Sequence, residues 1–110
     1  MIEIRMERTG KTRVLQMTGH AGQADVGQDI VCAAASILCY TAAQTALDLH
    51  ERGQLHKRPR VEMEKGRSVV TICPRASAEA EVTVALRTVE TGFALLAHHY
   101  PEYVTFEKRE

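Results

Sequence analysis

An excess of charge and a long apolar run are both missing from this chain of 110 residues. Lys plus Arg is 14 and Asp plus Glu is 14, so the formal net charge is zero. That argues against a protein that holds nucleic acid by its overall field. The basic stretch "HKRPR" at 56–60 is read as a solvated turn before a strand, so direct nucleic-acid binding is not expected. No segment reads as the ~20 apolar residues of a membrane span. The first residues carry Glu3, Arg5, Glu7 and Arg8, which is not a signal peptide, and a cytoplasmic protein is expected. Cysteine is scarce as well. The three thiols, Cys32, Cys39 and Cys73, are odd in number and lack CxxC spacing. A disulfide framework and a thiolate zinc site are therefore not expected. The size fits a single domain over 1–110 with one modest core, so neither a large cofactor nor a metal is expected. There is no low-complexity segment and no evident internal repeat.

What is present is periodic. Ile2, Ile4 and Met6 alternate within "MIEIRME" (1–7), and "TRVLQMTG" (12–19) follows a Gly turn, which predicts an N-terminal hairpin. From Ile30, an Ala- and Leu-rich run without Pro reaches Gly53 and predicts a helix buried on most of its faces. "RVEMEKGRSVVTICP" (60–74) reads as a second hairpin around Lys65-Gly66. Val82, Leu86 or Ala85, Val89, Phe93 and Leu96 lie at helical spacing within 77–100, with Ser77 as the expected N-cap and Pro101 as the stop. "YVTFEK" (103–108) closes the chain as a strand. The order ββαββαβ predicts an α+β fold, a small antiparallel-rich sheet with two helices on one face.

Chemistry concentrates in "GHAGQADVGQDIVCAAAS" (19–36). A connection of about ten residues from His20, loosened by Gly22 and Gly27, is long for a strand-to-helix link and is expected to be mobile and to close over a ligand. Asp29 is placed as the N-cap of the first helix, which puts Cys32 at its third position, facing free N–H groups and the positive end of the dipole. A thiol, an imidazole and free backbone N–H groups are the parts of acyl transfer: nucleophile, base and oxyanion donors. On residue type alone, packing is the commoner role for such a cysteine.

The remaining thiols and imidazoles have simpler readings. Cys39, seven residues after Cys32 and so about 10 Å along the axis, is expected in the core. Cys73 beside Pro74 is expected to be structural. His98 and His99 suit the end of the second helix, and His50 and His56 read as surface residues.

"GHA", a Gly-containing loop and "GQDIVCAAAS" together resemble the ribosomal-processing cysteine protease family, Prp, and the resemblance spans essentially the whole chain. It implies catalytic roles for His20 and Cys32 and supporting positions at Gly19, Asp29 and Ser36. It also implies removal of the N-terminal extension from ribosomal protein twenty-seven of the large subunit, by a homodimeric enzyme. The alternative reading is a non-enzymatic ribosome- or RNA-associated module that uses 56–60 on phosphates, with Cys32 merely buried.

Overall fold

The computed structural model describes residues 1–19 and 26–110, with side chains for 1–19 and 30–110. Strand β1 (Ile2–Thr9) turns at Gly10 into β2 (Thr12–Thr18). Helix α1 (Val26–Glu51) follows, then the hairpin β3 (Arg60–Glu64) and β4 (Arg67–Ile72). Helix α2 (Glu79–His99) and β5 (Val104–Arg109) complete the expected order ββαββαβ. The five strands form one sheet ordered β3-β4-β2-β1-β5. Every pairing is antiparallel except the parallel one between β1 and β5.

Alternation sets the two faces of the sheet. Ile2, Ile4 and Met6 of β1, Leu15 of β2 and Val70 of β4 are buried with the inner stripes of both helices. In α1 that stripe is Val31, Ala35, Cys39, Ala42, Ala46 and Leu49. In α2 it is Val82, Leu86, Val89, Phe93 and Leu96, the spacing read from the sequence. The helices run antiparallel. Arg52, just beyond the end of α1, pairs with Glu81 in the first turn of α2, and Leu38 packs on Gly92. A Cβ on Gly92 would come within 2.6 Å of Leu38 Cδ2, so a side chain added there would make Leu38 shift.

Four expectations are corrected. Helix α1 begins at Val26 and not at Ile30, so Asp29 lies inside the helix and is not its N-cap. Gly27, expected in the loop, is the second helical residue. Ser77 does not cap α2 either. It sits in a 3₁₀ turn (Ala76–Ala78), and Ala78 takes the cap position without a side-chain hydrogen bond. Finally, Ile30–Glu51 is by length and composition apolar enough to cross a membrane. Its alanines raise its apolar character without bulk, and here its inner stripe is covered by the sheet.

One buried charge joins sheet to helix. Arg13 on β2 is 7 % exposed and donates to Glu79 Oε1 and, at 3.1 Å, to Thr83 Oγ1, both on α2. Its Nε is buried without a hydrogen-bond partner among the described residues.

Candidate active site

Cys32, Ser36 and Tyr40 follow one another at four-residue intervals and so line one flank of α1. All three border a groove of about 860 Å³. Ile2, Met17 and Gly19 from β1 and the end of β2 form its floor and near side. Met63, Glu64, Lys65, Gly66 and Ser68 of the β3–β4 hairpin form the opposite wall. The hairpin was legible in the sequence, but its place beside Cys32 was not, because only the tertiary fold brings residues 63–68 to α1.

The three thiols are sorted by their surroundings. Cys32 is half-buried at the groove, Cys73 is half-buried and Cys39 is buried. Burial pushes the Cys39 thiol up to about 12, far from the thiolate form. Its S–H donates to Met17 Sδ at 3.6 Å. Cys39 therefore belongs to the core, as its spacing suggested, and Cys32 is the thiol presented to the groove.

The early start of α1 changes the electrostatics expected for Cys32. It is the seventh helical residue, about 9 Å from the helix start at 1.5 Å per residue. Its own N–H lies within the i→i−4 ladder, and the free N–H groups of the first turn are not beside its sulfur.

Gly19 is fixed by its surroundings. Its φ is 102°, and a Cβ there would collide with the carbonyl oxygen of Met1. Its N–H donates to Gly66 O at 3.0 Å, tying the end of β2 to the hairpin turn. His20 and Gly22 lie outside the described residues. The chain thus delivers Gly19, the residue before His20, to the groove that Cys32 borders. The side chain of Asp29 is also outside the described set, whereas Ser36 is at the groove as expected.

His98 and His99 are exposed in the last turn of α2, their ring centroids 5.4 Å apart edge to face. Among the described residues no group of three His, Cys, Asp or Glu side chains is placed to hold a metal ion. In the basic stretch, Lys57 and Arg58 are exposed, and Arg60 is paired with Glu62 at 2.8 Å.

Residues 1–105 match the sequence pattern of the family described as cysteine protease Prp. The chain belongs to that family. No protein of curated function matches the sequence. Among solved structures, the ribosomal processing protease Prp of S. aureus with a substrate peptide is similar, with a TM-score of 0.72 at 20% identity, covering 98% of this chain and 99% of that one. The same S. aureus protease with a covalently linked product peptide gives a TM-score of 0.69 at 21% identity, with the same coverage. SMU.848 from Streptococcus mutans gives 0.71 at 24% identity, covering 100% of this chain and 96% of that one. At these identities the structural likeness speaks for the fold.

Proposed function

We propose that this protein is a cysteine endopeptidase acting through a Cys32–His20 dyad, and that it removes the N-terminal extension of ribosomal protein twenty-seven of the large subunit in the cytoplasm. The observation that carries the reading is the groove, where Cys32 faces the strand end that leads from Gly19 into His20. Membership of the Prp family supplies the reaction class. The substrate peptide bound to the S. aureus relative supports an extended peptide as the ligand.

The chemistry follows from the side chains. His20 takes the proton of the Cys32 thiol, and the sulfur adds to the scissile carbonyl carbon. The carbon–nitrogen bond then breaks, and the imidazolium returns the proton to the leaving amine. Water, deprotonated by His20, hydrolyses the thioester and restores the thiol. The developing oxyanion needs donors. The Ser36 hydroxyl, one turn beyond Cys32 on the same flank, is suited to that role now that the first-turn N–H groups are too distant.

The enzyme is proposed to act as a homodimer. Ile30 and Ile37, two turns apart on the outer side of α1, are 54% and 62% exposed, and Leu95 of α2 is 54% exposed. Apolar side chains on the outer side of both helices suit a second copy of the chain.

The deciding experiment incubates the protein with an extended ribosomal-protein precursor. Cys32→Ala is expected to abolish cleavage while keeping the fold by circular dichroism, and Cys39→Ala is expected to retain it. Undiminished cleavage by Cys32→Ala would sink the assignment.

A further inference from the structure

The helix-facing side of the sheet is apolar along most of its length and ends in cations. Met6 and Arg8 follow one another on that side of β1. Register sets Arg13 of β2 opposite Arg8, and Lys108 of β5 opposite Met6. Helix α2 passes over them and presents Thr83, Arg87 and Glu90 at four- and three-residue spacing. Together they enclose a cavity of about 70 Å³, floored by the buried Met6 and Leu86. It is separate from the groove that Cys32 borders. Arg8 lies six residues along β1 from Ile2, about 20 Å at the rise of a strand.

Much of the charge here is already matched. Glu79 accepts from Arg8 and Arg13, and Glu7 pairs with Arg109 at the rim. Lys108 sits between Glu90 and Glu110, at 3.1 and 3.2 Å. Three donors are not matched. The Nε–H of Arg13 is buried with no partner among the described residues. The Arg87 guanidinium makes no ion pair or hydrogen bond among them either, and acts on Glu110 only at a distance. Thr41, Thr88 and Thr91 each donate to the carbonyl four residues earlier. Thr83 does not. Its oxygen accepts from Arg13 Nη1 at 3.1 Å, and its hydroxyl proton has no acceptor among the described residues. A buried donor without an acceptor costs free energy and calls for one.

The acceptor that suits these groups is small, anionic and rich in oxygen. A cavity of this volume has room for a tetrahedral oxyanion and not for a nucleotide. Charge narrows the choice. Glu90 and Glu110 also border the cavity, and a carboxylate repels an oxyanion unless that ion brings a proton to share. Hydrogen phosphate carries such a proton at neutral pH, with further oxygens for the three donors. Sulfate carries none.

We infer that this cavity is a binding site for one hydrogen phosphate ion. The Arg13 Nε–H, the Thr83 hydroxyl and the Arg87 guanidinium donate to it, and its own proton goes to Glu90 or Glu110. The ion ties β2 to the first half of α2 at the far end of β1 from the groove. It therefore stabilises the fold and takes no part in the chemistry at Cys32.

The test is titration of ¹⁵N-labelled protein with sodium phosphate at neutral pH, with ionic strength held constant by sodium chloride. Phosphate should shift the Arg13 Nε–H resonance saturably and raise the unfolding midpoint, as a ligand of the folded state does. Sodium sulfate should bind about tenfold more weakly or worse, and Arg87→Gln, a change at an exposed residue, should weaken phosphate by about tenfold with the circular dichroism unchanged. Glu90→Gln should narrow the gap between phosphate and sulfate. An Arg13 Nε–H resonance that stays in place, or moves equally with chloride, overturns the inference. So does an undiminished phosphate affinity in Arg87→Gln. Sulfate binding as tightly as phosphate overturns it in favour of a general anion site. Adenosine monophosphate binding more tightly than phosphate overturns it in favour of a nucleotide.

Discussion

Gly19 shows how much one residue can be constrained. The left-handed φ, and the Met1 carbonyl oxygen where a Cβ would stand, leave no room for any side chain. Gly19→Ala is expected to lower stability by about 2 kcal/mol or more. Urea unfolding followed by circular dichroism measures it, and an unchanged midpoint would contradict the geometry. Cys39 gives a pH signature. Its folded pKa, about 12, lies above the ordinary thiol value, so between about pH 9 and 12 the unfolded chain releases a proton that the folded chain keeps. Stability contributed by this group is therefore complete below pH 9 and falls as pH rises, by at most about 1.4 kcal/mol per unit. Unfolding midpoints of the wild type and Cys39→Ala, compared from pH 8 to 11, should converge as pH rises. Parallel curves would show the thiol to be less buried than the fold implies.

Among the elements, the strands and α2 were legible because each carries its own period. Ile2, Ile4 and Met6 alternate, and Val82, Leu86, Val89, Phe93 and Leu96 repeat at helical spacing. The start of α1 was not legible. Gly27 has low helix propensity and Asp29 favours caps, so local chemistry placed the boundary at Ile30, while the fold extends the helix back to Val26. Of the candidate site, the sequence pointed to Cys32, Ser36 and Gly19. It could not point to Met63, Lys65 or Ser68, because only the pairing of β4 with β2 brings that hairpin to the groove. Arg13 was likewise overlooked, because a charge within "TRVLQMT" looks solvent-facing until α2 covers it. Its pair with Glu79 makes an asymmetric prediction. Glu79→Ala leaves a buried guanidinium with Thr83 as its main partner and should cost about 2 kcal/mol. Arg13→Met removes the buried charge together with its orphaned Nε and should cost less. Denaturant midpoints of the two variants decide it, and an equal or larger loss in Arg13→Met would contradict this account.

At the scale of the whole molecule, one face of the sheet is covered and the other carries charged ladders. On the open face Glu62 sits between Arg60 and Arg67, and those guanidiniums hold its carboxyl below the usual range. Such exposed pairs contribute little to stability but keep that face wetted. The outer helix layer differs, with Ile30, Ile37 and Leu95 exposed. Ile37→Glu is expected to convert a dimer to a monomer in sedimentation velocity while leaving the circular dichroism spectrum unchanged. A wild type that sediments as a monomer at tens of micromolar would remove the proposed pairing.

The bond from the Gly19 N–H to the Gly66 carbonyl has a use beyond holding the strand end. It joins the hairpin wall, which a bound peptide would press against, to the residue immediately before His20. A single amide proton thus acts as a built-in strain gauge between the wall and the strand. Its hydrogen-exchange rate reads out whether the two sides of the groove move together or apart when a peptide arrives, with no label attached to either side.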